Sequence, residues 1–252
     1  MQPAPGQFFN KAALPGGYFL YSAFGVSRLV DQAAYRILTP SGTVPFGPSK
    51  RGLGVNWSGG GATSHGNYAT FAIPAQFTME ALIQVGTVQN ENVLCFVNNN
   101  GLDTGTFERQ IAFRSTGVFS FYVFTGAVSI ISGATVFASG SIVHVAATYD
   151  GTTYRLYVNG ALDASSALGA GYGGYTSPAL TVGFQSVADG GSGTSNQSTH
   201  VLLLSAMASR AASAGEIAMR AAYPWAPLSA PRRRPMKAPA VATQWSTAAV
   251  WM

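Results

Sequence analysis

Carboxylate side chains are the first residues to consider, because two of them flanking a glycosidic bond can hydrolyse it. The two groups must stand roughly 5–10 Å apart. The chain holds nine Asp and Glu residues. Glu80 is the only acid in its predicted strand, and Asp103 and Glu108 are separated by Gly105 in a predicted loop. This pattern provides no carboxylate pair, and we predict that the protein has no catalytic residues and is not an enzyme.

The histidines, the cysteine and the glycine-rich loops offer little further chemistry. His65, His144 and His200 have no second His or Cys at ligand spacing, which disfavours zinc. Cys95 lies in an apolar run, where a buried and unreactive thiol is expected. The loops GGGATSHG and GGSGTSN lack the P-loop spacing, and the sequence has no G-x-S-x-G motif.

The composition favours strands and turns. Hydrophobic residues make up 47% of the 252 residues and charged residues only 9%, whereas an ordinary soluble domain has about 25% charged residues. Too few Glu, Lys and Arg are present for a coiled coil, and the apolar fraction excludes charge-driven disorder. Thirty glycines, 13 prolines, 15 Phe and 11 Tyr are typical of an all-β chain.

Neither a secretory signal nor a membrane span is predicted. The first residues, MQPAPGQFFNKAALPGG, lack a basic segment followed by an apolar one. No residue from Ser115 to Tyr149 is formally charged, but four glycines interrupt this stretch. Glycines at such short intervals are typical of short strands and turns rather than of one long helix.

Charge is distributed unevenly along the chain. Residues 1–51 hold five basic residues and one acidic, residues 52–204 hold three basic and seven acidic, and residues 205–252 hold six basic and one acidic. A mildly acidic centre therefore lies between two basic ends, an asymmetry that concerns partners rather than fold.

Period-two alternation indicates strands in the centre. Between Met79 and Val85 every second residue is apolar, and the intervening residues are Glu80, Leu82 and Gln84. Further strands are predicted within residues 93–97, 111–114, 118–124, 180–184 and 201–205. The clearest signal is VHVAATYDGTTYRLYVNGALDASS, in which an Asp-Gly turn and an Asn-Gly hairpin turn separate three strands. Ser213-Ala214-Gly215-Glu216 then predicts a capping box and a helix that ends before Pro224.

Several of these stretches together resemble the laminin-G-like, concanavalin-A-like jelly rolls. They are GLGVNWSGGGATSHGNYATF, FTMEALIQVG, VHVAATYDGTTYRLYVNGAL and LTVGF. SAGEIAMRAAYPWAPLSAPRRR is similar to the end of many laminin-G-like proteins encoded by tailed phages and prophages, where an S-x-x-E-I helix leads to Pro-Trp and a basic stretch. The resemblance covers about residues 52–234. The E-x-D-x-x-E motif of this family's enzymes is missing here.

The residues alone indicate an all-β sandwich or barrel. The resemblance implies a two-sheet antiparallel jelly-roll sandwich with extended arms and one short C-terminal helix. We predict an N-terminal arm over residues 1–51, the laminin-G-like sandwich over 52–212, a short helix over 213–223 and a Pro/Arg-rich C-terminal arm over 224–252.

The resemblance also raises calcium binding, because laminin-G-like domains often hold calcium through loop carboxylates. The candidates here are Asp150, Asp163 and Asp189. Calcium needs six to eight oxygen ligands, and these three residues are isolated in the sequence. Asp150 in Asp-Gly is more simply explained as a turn former. We predict no metal and no cofactor.

The phage-like closing segment and the basic ends favour a structural protein of a tailed-phage virion, either a capsid decoration or cement protein or a tail-associated one. On this hypothesis the protein is located in the virion, forms homo-oligomers in the assembly and attaches through its arms to capsid or tail subunits. Arg and Trp are favoured at interface hot spots, and the predicted partner-binding residues are Arg232, Arg233, Arg234, Lys237, Trp245 and Trp251. Prolines rather than aromatic residues interleave this basic run, which disfavours nucleic acid.

The alternative hypothesis is a glycan- or receptor-binding module of a phage tail fibre or spike. Tyr172 and Tyr175 would stack on a sugar, and Asn98, Asn99 and Asn100 would bond to its hydroxyl groups. Ordinary polar loops are the competing interpretation of these residues.

Overall fold

The computed structural model of the chain describes residues 19–22, 30–31, 36–37, 39–41, 46–56, 65–68, 75–97, 107–124, 128–168, 179–182, 198–208 and 210–224. These residues form seventeen strands and one helix. The first nine strands are β1 (Phe19–Ser22), β2 (Val30–Asp31), β3 (Arg36–Ile37), β4 (Thr39–Ser41), β5 (Phe46–Ser49), β6 (Gly52–Asn56), β7 (His65–Tyr68), β8 (Phe77–Gln84) and β9 (Glu91–Val97). The others are β10 (Phe107–Phe113), β11 (Val118–Phe124), β12 (Val128–Val136), β13 (Ile142–Tyr149), β14 (Tyr154–Val158), β15 (Ala161–Ser166), β16 (Ala179–Val182) and β17 (Val201–Ala208), followed by helix α1 (Ala214–Ala222).

The strands form two antiparallel sheets. Sheet A has ten strands in the order β15-β14-β13-β8-β17-β1-β2-β3, with β6 also paired to β17 and β5 paired to β6. Sheet B has seven strands in the order β12-β11-β10-β9-β16-β7-β4. This architecture confirms the predicted all-β, two-sheet antiparallel sandwich followed by a short helix.

The core lies between the two sheets. Its largest fully buried side chains are Phe77, Met79, Ile83, Tyr149 and Tyr154 from sheet A and Phe113, Phe119 and Phe121 from sheet B. The alternation predicted for residues 79–85 is confirmed, because Met79, Ala81 and Ile83 belong to this core. The intervening residues Glu80 and Leu82 are also buried, on the opposite face of the sheet. Nearly the whole of β8 is therefore removed from water, as its apolar composition predicts.

The two predicted turns position β13, β14 and β15. Asn159 and Gly160 both have positive φ, 50° and 86°, which is the conformation of a two-residue hairpin turn. Gly151 follows Asp150 with φ at 101°. The predicted strand–turn–strand–turn–strand unit is confirmed, and it forms one edge of sheet A.

Parts of the predicted N-terminal arm pair with the sandwich. Residues 19–22 form β1, which lies antiparallel to β17 with Phe19 opposite Met207. The short strands β2 and β3 extend sheet A beyond β1, whereas β4 pairs with β7 in sheet B. A strand with an unpaired edge has open N–H and C=O groups, and β1 satisfies those of β17. The division of the chain at residues 51 and 52 itself stays a prediction.

Helix α1 caps the outer face of sheet A. Its capping box is confirmed: Ser213 Oγ accepts from the Glu216 N–H, and the Glu216 carboxylate accepts from the Ser213 N–H. Thr78 Oγ1 in β8 donates to the Arg210 carbonyl and accepts from the Ala212 N–H, which fixes the segment that enters the helix. Ile217 is fully buried against Ala146, Tyr157 and Ala212. Among the described helical residues, no stretch has the length and apolar character to cross a bilayer.

Candidate binding site at one end of the sandwich

Two predicted binding segments leave the sandwich side by side. Val97, the last residue of β9, pairs with Phe107 at the start of β10 and with Ala179 at the start of β16. The segments 98–106 and 169–178 therefore attach at adjacent positions on one end of sheet B. The predicted glycan-binding residues belong to these segments and lie outside the described residues: Asn98, Asn99, Asn100, Tyr172 and Tyr175. We call this end of the molecule the loop end.

An aromatic cluster forms the floor of the loop end. Tyr149 at the end of β13 stacks on Tyr154 at the start of β14, with the ring centroids 4.0 Å apart. Phe77, the first residue of β8, lies 6.0 Å from Phe121 and 6.1 Å from Tyr149. These rings are buried. They provide a rigid support beneath the attachment points of the segments.

Arg109 places a positive charge in this floor. In the pairing of β10 with β9, the backbone of Arg109 lies opposite Phe96, one residue from Val97. Its guanidinium carbon lies 4.4 Å from the centre of the Phe77 ring. Only 4% of its surface is exposed. A guanidinium over an aromatic face is stabilised by the negative potential of the ring. Sequence reasoning missed this residue, although its alternation with Ile111 and Phe113 indicates an inward position.

The turn at Asp150 directly follows Tyr149 and therefore lies at the same end of the sandwich as the aromatic cluster. Asp150 Oδ1 accepts hydrogen bonds from the N–H groups of Thr152 and Thr153, at 2.9 and 2.8 Å, and Oδ2 accepts from Arg155 Nη1 at 2.5 Å. The Arg155 guanidinium, followed by the Thr153 and Thr152 bonds, holds the pKa of Asp150 well below its usual range. The prediction that Asp150 is a turn former is confirmed.

Asp163 likewise uses its carboxylate for hydrogen bonds within the protein, in its case from β15 to β12. Its Oδ1 accepts from the Thr135 hydroxyl at 2.6 Å, and its Oδ2 accepts from the Ala134 N–H at 3.1 Å. The third calcium candidate, Asp189, lies outside the described residues. Nowhere in the described ranges do three or more His, Cys, Asp or Glu side chains gather as a metal site would require. Asp150 and Asp163 use both of their carboxylate oxygens within the protein.

A buried polar cluster lies between α1 and sheet A. Glu80 Oε2 is 3.2 Å from His144 Nε2, and Glu80 Oε1 accepts from Arg220 Nη2 of the helix. The three residues are 2–5% exposed. His144 is therefore a buried side chain of the sheet that lies within hydrogen-bond distance of Glu80. The contact of Glu80 with Arg220 was missed, because the two residues are 140 positions apart and no local pattern links them.

This cluster is a structural contact rather than a reaction centre. The helix covers it, so a substrate has no access to the Glu80 carboxylate in the folded protein. Arg220 balances the charge of Glu80, and His144 lies 3.2 Å from the same carboxylate. Such pairing is the condition under which charged groups are buried.

The predicted partner-binding residues of the C-terminal arm lie outside the described residues. They are Arg232, Arg233, Arg234, Lys237, Trp245 and Trp251. Their role therefore stays a prediction. The side chain of Cys95 also lies outside the description, although its backbone pairs with Gln110 and Thr181 within sheet B.

Comparison with protein families identifies the class. The laminin G family model described as concanavalin A-like lectin/glucanases superfamily matches residues 58–218. The chain therefore belongs to this superfamily, as the motifs of the sequence predict. No curated protein sequence matches the chain significantly.

Solved structures with the same fold include several binding domains. The binding domain of Paraclostridial Mosquitocidal Protein 1 is 16% identical, with a TM-score of 0.58 over 81% of this chain and 51% of that one. Domain 4 of AbnA, an arabinanase from Geobacillus stearothermophilus solved with arabinotriose, is 12% identical, with a TM-score of 0.59 over 82% of this chain and 98% of that one. The CBM40 of the Ruminococcus gnavus IT-sialidase, bound to α2,3-sialyllactose, is 14% identical, with a TM-score of 0.50 over 59% and 82%. The chain thus spans about half the length of the Mosquitocidal Protein 1 binding domain.

Proposed function

We propose that the protein is a non-catalytic carbohydrate-binding module and that the loop end is its binding site. The observation that carries this proposal is the pairing of Val97 with both Phe107 and Ala179. It brings the attachment points of the Asn-rich segment and the Tyr-containing segment together. Sugar recognition needs both residue types, because a sugar presents apolar ring faces and hydroxyl groups.

The comparisons support the same class of function. Two structures of this fold, domain 4 of AbnA and the Ruminococcus gnavus CBM40, were solved with bound oligosaccharides. Their sequence identities of 12% and 14% make them evidence for the fold, and the sugar specificity of this chain is a separate question. Rigid sheets that support variable loops are a common way to build a binding site.

A non-catalytic role is supported by three of the acidic residues whose side chains the structure describes. Glu80 is buried under α1, and Asp150 and Asp163 are each bonded through both oxygens. A glycosidase needs one carboxyl group able to donate a proton and a second that acts on the sugar or on water. None of these three residues is placed to fill either role.

A glycan array probed with the purified protein tests this proposal. We expect binding to one class of glycan and loss of that binding in Tyr172→Ala and Tyr175→Ala. Tyr223→Ala is the matched control, because Tyr223 is 67% exposed at the end of α1 and lies outside the loop end. Failure of the array to retain the protein, or equal binding by wild type and both loop variants, would reject the loop end as a glycan site.

We also propose that the module is a structural component of a tailed-phage virion, attached by residues 224–252. The favouring observation is the capping box at Ser213 and Glu216, which begins the phage-like S-x-x-E-I segment. A chain ending at residue 223 should fold and be left out of assembled particles. Incorporation of this truncated chain at the normal level would contradict the attachment role of the arm.

A further inference from the structure

We propose that the ligand of the loop end is an uncharged glycan, and that sugars carrying a carboxylate or a sulfate are excluded from it. This inference rests on the proposed carbohydrate-binding function and deepens it, because it names the class of sugar. Three arginines border this end in the described part of the chain, and each is already engaged with another group of the protein. They are Arg109, Arg155 and Arg210.

Five connections between strands leave the sandwich at the loop end. Tyr68, the last residue of β7, pairs with Leu180 of β16, and Val123 near the end of β11 pairs with Arg109 of β10. The connections that follow β7 and β11 therefore leave at the same end as those that follow β9 and β15. The turn between β13 and β14 lies there as well. The five connections are residues 69–76, 98–106, 125–127, 150–153 and 167–178.

The charge of these connections is acidic. They contain Asp103 and Asp150 and no Lys, Arg or His. In the whole chain, Lys and Arg outnumber Asp and Glu by 14 to 9, so the connections at this end depart from the basic character of the protein. A sugar carboxylate that approaches them meets charges of its own sign, which disfavours its binding.

Two of the three described arginines are held by acidic partners. Arg155, the second residue of β14, donates from Nη1 to Asp150 Oδ2 at 2.5 Å. Arg210, two residues after β17, donates through both terminal nitrogens to the Glu216 carboxylate, at 2.9 and 2.6 Å. Contacts of a guanidinium with a carboxylate are among the strong hydrogen bonds of proteins. An anionic sugar would have to displace a carboxylate that the protein already supplies.

The third arginine is buried. Arg109 is 4% exposed, and its guanidinium carbon lies 4.4 and 6.0 Å from the ring centres of Phe77 and Tyr149. Its charge is thus stabilised within the aromatic floor, beneath the attachment points of the connections. Recognition of a carboxylate or a sulfate takes a guanidinium or an ammonium that faces the ligand. Arg109 does not meet this condition.

An uncharged sugar needs none of these cations. Its hydroxyl groups donate and accept hydrogen bonds, as do the side-chain amides of Asn98, Asn99 and Asn100. Its apolar ring face is the surface on which Tyr172 and Tyr175 would stack. A carboxylate without a cationic partner would lose its water without compensation. The residue types of the loop end therefore favour hexoses, pentoses and N-acetylated sugars over sialic acids, uronic acids and sulfated sugars.

Pairs of glycans that differ in one anionic group test the inference. The probes are oligosaccharides on an array, together with the same oligosaccharides carrying a sialic acid, a C6 carboxylate or a sulfate. We expect the tightest ligand to be uncharged and each anionic derivative to bind at least about fivefold more weakly than its parent. Affinity for the uncharged ligand should change less than about twofold between roughly 50 and 500 mM NaCl, because no ion pair with the ligand would be screened.

A cation added at the loop end should relax the exclusion. Thr152 is exposed in the Asp150 turn, and its backbone N–H bonds to Asp150 Oδ1, so Thr152→Lys keeps this bond of the turn. We expect Thr152→Lys to narrow the difference between each uncharged glycan and its anionic derivative by at least about threefold. Ser115→Lys is the matched control, because Ser115 is exposed after β10 at the opposite end of sheet B. It should leave the difference unchanged.

The outcomes separate the class of sugar from the binding function itself. A tightest ligand that is anionic, and whose binding is lost in Tyr172→Ala, would overturn the exclusion and leave the loop end as a glycan site. Equal effects of Thr152→Lys and Ser115→Lys on the anionic derivatives would also overturn it. Retention of no glycan at all would reject the proposed function and the sugar class together.

Discussion

The contact between α1 and sheet A should respond strongly to removal of Arg220. Arg220 Nη2 donates to a carboxylate that is 2% exposed, and Arg220 itself is 5% exposed. In Arg220→Ala, the Glu80 carboxylate would lose its cationic partner on α1 and keep its contact with His144. Removing one member of a buried ion pair typically costs about 3–5 kcal/mol, because the other charge stays desolvated. For a chain of this size, that loss corresponds to a decrease in Tm of roughly 6–20 °C.

The exposed pair between Arg155 and Asp150 is the matched control. Its N–O distance is 2.5 Å, but the two side chains are 33% and 32% exposed. Exposed ion pairs contribute about 0–1 kcal/mol, so Arg155→Ala should change the free energy of unfolding much less than Arg220→Ala. Urea denaturation of the three proteins measures this difference.

Hydrogen exchange of the α1 amides shows whether the loss is local. If α1 undocks before the sandwich unfolds, Arg220→Ala should accelerate exchange in the helix and leave β8 and β13 protected. The reasoning fails if the two arginine variants lose equal stability, or if Arg220→Ala loses less than about 1 kcal/mol with unchanged exchange.

Three further predictions concern pH and backbone geometry. Burial lowers the pKa of His200 from 6.5 to about 3; the unfolded chain therefore takes up a proton first, and wild type should lose up to about 1.4 kcal/mol per pH unit below pH 6.5. Urea titrations should show a weaker acid dependence in His200→Gln. The Arg210 guanidinium lowers the pKa of Glu216 from 4.5 to about 2, so its contribution is complete above pH 4.5 and is lost towards pH 2. An NMR titration should show a higher Glu216 pKa in Arg210→Ala. Gly160→Ala should destabilise the protein by about 1–3 kcal/mol, because Gly160 has a φ of 86° and a Cβ there would lie 2.9 Å from Ala218 Cα. Gly215→Ala in α1, where a Cβ meets nothing within 4 Å, should be neutral or stabilising in the same denaturation assay.

Local patterns were sufficient to predict many of the elements. The turn at Asn159 and Gly160 needs two residues that tolerate positive φ, and the Asn-Gly dipeptide alone is enough to predict this turn. The capping box of α1 is likewise encoded within four residues, from Ser213 to Glu216. Alternation predicted β8 because one of its faces packs in the sandwich core.

Contacts between distant segments were not accessible in the same way. Arg220 finds Glu80 only after the helix docks on the sheet, and Thr78 bonds to residues more than 130 positions away. The joint attachment of segments 98–106 and 169–178 depends on the pairing of β9 with β16, which no local pattern specifies. The candidate site was therefore predicted as separate loops, and their common location required the sheet order.

The position of β17 has a consequence for how the protein is made. β17 lies inside sheet A, where it pairs with β8 along one edge and with β1 and β6 along the other. It is also the last described strand, more than a hundred residues after β8. A nascent chain therefore leaves the ribosome with β8 open on one side until residue 208 has emerged. Non-local pairing of this kind slows folding and exposes strand edges meanwhile, so the sheet should close as a late event after most of the chain has been synthesised.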